Sequence, residues 1–203
     1  MKNNKGLLLI ISGPSGCGKG TVCEELKKRN SDLVVSISAT TRDIRKGETD
    51  GVTYFYKTKE EFKNMIANDE FLEYNCGYNE KYYGTPKKYV FDQLEKGNDV
   101  ILEIEMNGAQ NVKSTYPEGV AIFLSPPSLE ELHKRLVGRG RESAELIEER
   151  FNEAKNEMKR ASKYDYIVVN DTVERAVECI EAIIKAERCS VLRNKNIINE
   201  IIK

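Results

Sequence analysis

A glycine-rich stretch directly after an apolar run most constrains how this chain folds. Residues 7–11 are apolar and predict a buried strand, and residues 22–28 favour a helix. Between them lies the pattern Gly-x-x-x-x-Gly-Lys, and strand, turn and helix in this order are typical of a phosphate-binding P-loop. Glycines let successive backbone N–H groups point at phosphate oxygens, while the helix N-terminus and a lysine add positive charge. The residues predicted to bind a nucleoside triphosphate here are Gly13, Pro14, Ser15, Gly16, Cys17, Gly18, Lys19, Gly20 and Thr21.

The loop departs from the usual pattern at its end. A serine or threonine normally follows the lysine, and its hydroxyl binds Mg²⁺. Here Gly20 follows Lys19, and Thr21 comes one position later. The ending Gly-Lys-Gly-Thr resembles the loop of adenylate kinases. Phosphate binding is still expected, whereas direct binding of a metal ion by this loop is left open.

Composition places the chain among soluble globular proteins. Its 203 residues, with 39% hydrophobic and 32% charged residues, suffice for one buried core with a smaller inserted lobe. No apolar run approaches the roughly 18 residues of a membrane span. The net charge of −1 provides no overall attraction for nucleic acids or membranes. We therefore expect neither as a partner, and any anion site must be built from local arginines and lysines.

Cysteine and histidine usage points away from disulfides and zinc. The five cysteines, at positions 17, 23, 76, 179 and 189, are odd in number and lack Cys-x-x-Cys spacing. Reduced thiols in a cytoplasmic protein are the expected state. His133 is the single histidine, so a histidine-based metal or acid–base site is not expected, and His133 itself is expected to be solvated.

Alternation of apolar strands and helices predicts an α/β fold. Strands are expected at 7–11, 32–38, 99–105, 120–124 and 166–169, with helices between them, including 85–96. This pattern is typical of a three-layer α/β/α arrangement around a parallel sheet whose strands are buried on both faces. Ligands bind beyond the carboxyl ends of such strands. Segments 12–21, 36–45, 103–108, 125–127 and 170–172 are therefore expected to face one crevice.

The alternation breaks down between residues 40 and 89. Short strands at 53–56 and 71–74 and a short helix at 59–68 predict an inserted α+β lobe. Seven of the ten tyrosines lie between positions 54 and 89, which we attribute to packing of a small core more readily than to ligand recognition. Arg42 and Arg45 follow the second strand. Two arginines three apart can converge on one phosphate, although an Arg-x-x-Arg pair in a loop is more often solvated surface.

Several motifs together resemble the guanylate kinase family. The run Ser-x-Thr-Thr-Arg-x-x-Arg-x-Gly-Glu over 38–48 is followed by Gly51 and Tyr54, and further matching runs lie at 70–73, 82–85, 102–108, 126–128, 135–140 and 169–171. They occur in family order from about residue 6 to 190. The resemblance implies ATP-dependent phosphorylation of GMP, and of dGMP, to the diphosphate in purine nucleotide metabolism, with Mg²⁺ as cofactor.

The resemblance also implies a division of the chain and an acceptor site. The core would comprise 1–37, 90–127 and 163–190, with a GMP-binding lobe at 38–89, an arginine-rich lid at 128–162 and a tail at 191–203. The residues that would bind the GMP phosphate are Arg42, Arg45, Tyr54 and Tyr83. Those that would bind the base are Ser38, Glu73, Thr85 and Glu105. The chemistry agrees, because guanine presents adjacent N1–H and N2–H₂ donors that suit a carboxylate, whereas adenine lacks both in that arrangement.

Catalytic and donor-site roles follow from the same resemblance. With Lys19, the lid arginines Arg135, Arg139 and Arg150 would stabilise charge during phosphoryl transfer, and Arg141 is an extra arginine without family support. Arginines interspersed with glutamates are also typical of a solvated helix. Asn170 matches a residue near the ATP adenine.

Two carboxylates are predicted on one face of the strand at 99–105. Because Glu103 and Glu105 alternate with apolar residues, both would leave the same face at the crevice. Thr21 and Glu103 are the candidate Mg²⁺ ligands, directly or through water. Many family members have aspartate at the two glutamate positions, so which serves the base and which the metal stays open.

Two alternatives and one local departure accompany this interpretation. The chain has one residue more than usual between Glu73 and Tyr83, which leaves the placement of Tyr83 open. A non-catalytic, peptide-binding relative of the family would lack the P-loop lysine, which is present here. A kinase for another nucleoside monophosphate is the second alternative. The oligomeric state and the role of the isoleucine-rich tail are not indicated by the sequence.

Overall fold

The computed structural model describes residues 5–76, 80–138, 143–194, 198 and 200–202. The strands are β1 (Leu8–Ser12), β2 (Leu33–Val35), β3 (Ala39–Thr40), β4 (Phe55–Tyr56), β5 (Phe71–Cys76), β6 (Tyr82–Pro86), β7 (Asp99–Glu103), β8 (Val120–Ser125) and β9 (Tyr166–Val169). The helices are α1 (Lys19–Arg29), α2 (Lys59–Ala67), α3 (Lys87–Glu95), α4 (Met106–Thr115), α5 (Leu129–Val137), α6 (Ala144–Met158) and α7 (Val173–Arg188), with a 3₁₀ turn at Ala161–Lys163.

The main sheet contains five parallel strands in the order β2-β7-β1-β8-β9. β1 lies at its centre, where Leu9 is in register with Ile101 of β7 and with Val120 of β8. Every residue of β1 is buried, because helices cover both faces of the sheet. The predicted three-layer α/β/α architecture is confirmed.

Alternate residues of β1 build two separate cores. Leu9 and Ile11 point to one face and pack in a cluster with residues of α1 and α7, including Leu26 and Ile180. Leu8 and Ile10 point to the other face and join a cluster with residues of α3 and α4. The period of two along the strand thus holds one helical layer on each side of the sheet.

The second sheet belongs to the inserted lobe and has the order β4-β3-β6-β5. β3 pairs with β4 in parallel, while β6 runs antiparallel to both β3 and β5. Helix α2 anchors to this sheet through Phe62, which is fully buried and stacks on Phe71 with ring centroids 4.4 Å apart. A capping box formed by Thr58 and Glu61 begins the helix. The predicted α+β lobe is confirmed.

Several predicted element boundaries were wrong where the chain passes between the sheets. The strand expected at 32–38 is shorter than predicted. β2, which pairs with β7, ends at Val35, because the chain then crosses to the second sheet, where β3 pairs with β4 and β6. The helix expected to begin at Thr85 begins at Lys87. Thr85 belongs instead to β6, where it is paired with Glu73 of β5. The strand expected at 99–105 ends at Glu103, and Glu105 is the N-cap of α4.

Other differences concern exposure. β9 was expected to be buried, but it is an edge strand whose Ile167 and Val169 are exposed. His133 was expected to be solvated, but it packs edge-on against Phe151 with ring centroids 5.0 Å apart. In the tail, Ile198, Ile201 and Ile202 are exposed, while Ile197 lies outside the described residues.

The cysteines and the lengths of the helices can be examined over the described residues. None of the five cysteines, all of which lie in described segments, forms a disulfide. Burial raises the pKa of the Cys17 thiol in the P-loop, which favours its neutral form. Over the described residues, no helix is long and apolar enough to cross a membrane.

Candidate active site

The glycine-rich loop connects the end of β1 to the start of α1 at the carboxyl edge of the main sheet. Gly16 and Gly18 have φ angles of 88° and 93°, which favour glycine because a Cβ is strained there. A Cβ at Gly13 would lie 2.1 Å from the carbonyl oxygen of Leu124 in β8. The close approach of the loop to the neighbouring strand therefore also requires glycine.

The Lys19 ammonium group lies against the loop itself. Its Nζ donates to the carbonyl oxygens of Gly13, at 2.6 Å, and Pro14, at 3.3 Å. A full positive charge is thus held beside the loop amides at the N-terminus of α1, where an anion is favoured.

One of the predicted lid arginines contacts the P-loop, and a second contacts Asn170, which is itself bonded to the loop. Arg150 of α6 donates to the hydroxyl of Ser15. Arg135 of α5 donates to the backbone carbonyl of Asn170 at 3.2 Å and to Glu131 at 2.9 Å. Arg139 and Arg141 lie outside the described residues. The structure therefore brings Arg150 to the P-loop, whereas Arg135 is linked to the loop only through Asn170, whose side chain bonds to Cys17.

The Gly20 position faces a carboxylate. Gly20 lies within α1 without a left-handed φ, and a Cβ there would be 3.6 Å from Oε1 of Glu103, an ordinary contact distance. Burial is the main cause that raises the pKa of the Glu103 carboxyl, and nearby Lys19 opposes it. Thr21, the next residue, is exposed.

Gly20→Ser is therefore expected to be tolerated. The added atoms fit without a clash and the backbone is already helical. We expect a KM for ATP within about twofold of wild type and an Mg²⁺ requirement that is unchanged or lower, because a hydroxyl here restores the usual metal-binding group. Steady-state rates over a Mg²⁺ series measure both. Gly18→Ser is the contrasting variant, and comparable losses in the two would show that position 20 needs glycine.

In the inserted lobe, a bidentate ion pair holds the Arg42 side chain. This side chain is only 6% exposed and donates to both carboxylate oxygens of Glu48, at 2.7 and 2.9 Å. The guanidinium carbon lies 5.3 Å from the ring centroid of Tyr54, and the Tyr54 ring contacts that of Tyr83 edge-on at 6.1 Å. The structure thus groups three of the four residues predicted to bind the GMP phosphate. Tyr83 lies in β6 opposite Thr40, which places it despite the extra residue upstream.

Glu48 and Tyr56 are residues that sequence reasoning left without a role. Glu48 accepts from Arg42, from the Tyr56 hydroxyl at 2.7 Å and from the backbone N–H of Arg45 at 2.7 Å. These bonds, that of Arg42 first, lower the pKa of Glu48 to about 2. The Arg45 side chain itself is exposed. The sequence offered one indication of this pair, a glutamate in a loop rich in arginine and lysine. A buried arginine needs a counter-charge, and Glu48 was the nearby candidate.

The predicted base site contains a half-buried glutamate. Glu73 in β5 accepts a hydrogen bond from the Thr85 hydroxyl of β6 at 2.6 Å. Burial raises the pKa of Glu73, Thr85 opposes the rise, and the charge of Glu105 adds to it. Glu105 accepts from the side-chain amide of Asn75 at 3.1 Å. Ser38 is half-buried, and its carbonyl accepts from the Phe55 N–H at 2.9 Å.

Gly108 makes room for Glu73 and was also missed. A Cβ at Gly108, in the first turn of α4, would lie 2.7 Å from Oε2 and 3.2 Å from Cδ of Glu73. The Glu73 carboxylate of the inserted lobe therefore packs against α4, which covers the main sheet. No local pattern marks this contact, because the two residues are far apart in the chain.

Gly108→Ala is expected to displace the Glu73 carboxylate and to raise the KM for GMP about tenfold with the KM for ATP unchanged. Alanine favours helix over glycine by about 1 kcal/mol, so the melting temperature is not expected to fall through α4 itself. Kinetics with each substrate varied separately check this.

The matched test is a double-mutant cycle with Glu73→Asp, which shortens the acid by one methylene. The double variant should lose less than the product of the two single losses, because the shorter side chain accommodates the new methyl group. Strictly multiplicative losses would contradict a direct contact.

The chain matches proteins of one family over nearly its whole length. The model of the family described as guanylate kinase matches residues 5–187. A curated guanylate kinase of Caldanaerobacter subterraneus subsp. tengcongensis is 56% identical over 197 residues, covering 97% of this chain and 95% of that protein. A curated guanylate kinase of Clostridioides difficile is 54% identical over 199 residues, covering 98% and 97%.

A solved structure agrees with these relatives. The crystal structure of guanylate kinase from Anaplasma phagocytophilum superimposes with a TM-score of 0.74 at 32% identity, covering 95% of this chain and 92% of that one. Sequence and fold therefore lead to the same conclusion as the loop and the lobe. This chain belongs to the guanylate kinase family.

Proposed function

We propose that this chain transfers the γ-phosphoryl group of ATP to GMP, and also to dGMP, by in-line displacement, giving ADP and the guanosine diphosphate. The observation that carries the acceptor assignment is the half-buried Glu73, whose carboxylate accepts from Thr85 and packs against Gly108. Ionised, it accepts the adjacent N1–H and N2–H₂ donors of guanine. Adenine would leave it without those partners, at a cost of about 1–3 kcal/mol. Ser38 and Glu105 complete the proposed base site.

The proposed site for the phosphate of GMP is the group formed by Arg42, Tyr54 and Tyr83. Arg42 is already oriented by Glu48, and Tyr54 and Tyr83 lie beside it, so this part of the site is ordered before GMP arrives. Arg45, whose side chain is exposed, is the second arginine proposed to bind the same anion. The phosphate is itself an anionic nucleophile, and the reaction therefore needs no general base.

The donor phosphates bind at the P-loop, from Gly13 to Thr21. Loop amides and Lys19 neutralise them, and Arg135 and Arg150 supply positive charge from the lid, with Arg139 as the third proposed lid arginine. An oxygen of the GMP phosphate forms a bond to the γ-phosphorus while the bond to the β–γ bridging oxygen breaks. ADP leaves with that electron pair. The transition state is loose and spreads charge over the γ-oxygens, which the cations stabilise.

Glu103 and Thr21 are the proposed protein groups for Mg²⁺. The Glu103 carboxylate faces the start of α1, and its hard oxygen atoms suit this ion. Over the described ranges, no three His, Cys, Asp or Glu side chains form a metal cluster. One carboxylate, together with water and the substrate phosphates, would be enough to hold Mg²⁺, which would neutralise phosphate charge when bound.

We further propose that the core, the lobe at 38–89 and the lid at 128–162 act as the units that enclose the two nucleotides and exclude water. Five cysteines without a disulfide support a cytoplasmic location.

A coupled assay that offers GMP, dGMP, AMP, UMP and CMP with ATP tests the proposal. We expect turnover with GMP and dGMP and little with the others. Comparable rates with AMP would favour a kinase for another nucleotide. An absence of turnover with every acceptor would favour a non-catalytic binding protein.

A further inference from the structure

We propose that Asn170 is a positioning residue of the donor site, which orients a phosphate-binding amide of the P-loop and joins that loop to the lid. The inference rests on the proposed use of ATP as phosphoryl donor. It assigns to Asn170 a role at the phosphate end of the nucleotide, rather than the contact with the adenine that the family resemblance implies.

Three hydrogen bonds fix Asn170 at the point where β9 ends. Its backbone N–H donates to the carbonyl of Ser125 at 2.8 Å, and its own carbonyl accepts from Arg135 at 3.2 Å. The side-chain Nδ2 donates to the carbonyl oxygen of Cys17 at 2.8 Å. A carbonyl oxygen accepts only from the NH₂ end of the amide, so this bond also determines which way the amide faces. The residue is 3% exposed.

The bond to Cys17 controls the direction of the next amide. In a trans peptide, the C=O of one residue and the N–H of the following residue point in opposite directions. Among the described residues no peptide bond is cis. With the Cys17 carbonyl directed at Asn170, the Gly18 N–H points away from Asn170. Within the described part of the chain it has no hydrogen-bond acceptor, which leaves it for a phosphate oxygen.

The lack of a side chain at Gly18 leaves space for the amide group of Asn170. Its φ angle is 93°, and a Cβ there would lie 2.5 Å from Nδ2 of Asn170. Glycine at this position therefore serves the contact with Asn170 as well as the turn. A single side chain closes the loop on the side away from the nucleotide, and its backbone holds Arg135 of the lid.

The test separates the phosphates from the base. Asn170→Ala and the nearly isosteric Asn170→Asp are compared with wild type for the KM of ATP, the KM of GMP and the calorimetric Kd of inorganic tripolyphosphate, which has no base. We expect both variants to raise the ATP KM and the tripolyphosphate Kd by a similar factor, about tenfold. The GMP KM should stay within about twofold.

The matched control is Asn30→Ala. Asn30 also donates its amide to a backbone carbonyl, that of Leu26, but at the far end of α1. It should lower the melting temperature without changing either donor constant.

Two results would overturn the proposal. A raised ATP KM with an unchanged tripolyphosphate Kd would make Asn170 a base contact. A lower melting temperature with both donor constants unchanged would make it purely structural. If Asn170→Ala does not fold, Asn170→Asp decides, because it keeps the volume and removes the donor. Tripolyphosphate binding is measured without GMP, so failure of the proposed GMP phosphorylation would be seen separately.

Discussion

Glu73→Gln is expected to lower kcat/KM for GMP about 100-fold while the KM for ATP stays within about twofold. The wild-type carboxylate accepts from Thr85 and has acceptor capacity left for both guanine donors. A glutamine keeps the volume but presents one NH₂ group, and that group opposes a guanine N–H in a buried site. Two donors facing each other leave both unsatisfied, which is why the expected loss is large. Steady-state kinetics with GMP and ATP varied separately provide the measurement.

Glu70→Gln is the matched control for Glu73. Glu70 lies on the same lobe, but its side chain is exposed and contacts only Asn68 among the bonds of the described residues. We expect its GMP kinetics to equal those of wild type. The ratio of rates with GMP and AMP should also fall in Glu73→Gln, because the residue is proposed to select the base. An unchanged GMP KM in that variant would remove Glu73 from the site.

Lys19→Met is expected to reduce kcat by about 10²–10³-fold, the range found when one group that stabilises transition-state charge is removed. The ammonium group is held beside the loop by the carbonyls of Gly13 and Pro14, within the turn that is proposed to bind the donor phosphates. Methionine preserves length and packing but removes the charge, so the folded loop should persist. The GMP KM should change little, because the acceptor lobe is untouched.

Lys27→Met serves as the control on the same helix, since Lys27 is exposed near the C-terminus of α1. Single-turnover measurements separate the chemical step from product release. A Lys19→Met variant with near-normal kcat would show that the lid arginines alone neutralise the donor phosphates. A melting temperature so low that the variant is unfolded at the assay temperature would instead point to a structural role.

The sequence alone determined the features that depend on local backbone chemistry. The apolar run, the glycines and Lys19 predicted the P-loop, because a strand, a turn with left-handed residues and a helix follow one another without distant partners. Alternation of apolar strands with helices likewise predicted the parallel sheet. The N-cap of α5 is equally local, since the Ser128 hydroxyl needs only the N–H of Glu131, three residues ahead.

Only the tertiary structure decided the contacts between distant segments. The strand expected at 32–38 ends early because the chain leaves the main sheet to form β3. Its partners β4 and β6 come from positions up to about 45 residues away. The space that the Glu73 side chain occupies depends on the lack of a side chain at Gly108 of α4. The amide of Asn170 bonds to Cys17, which is 153 residues away in the sequence. Hydrophobic period and turn composition carry no information on such pairs. The P-loop could be predicted from the sequence because its geometry is local. The contact of Asn170 with Cys17 could not, because it forms only where the sheet places β9 next to β8 and β8 next to β1.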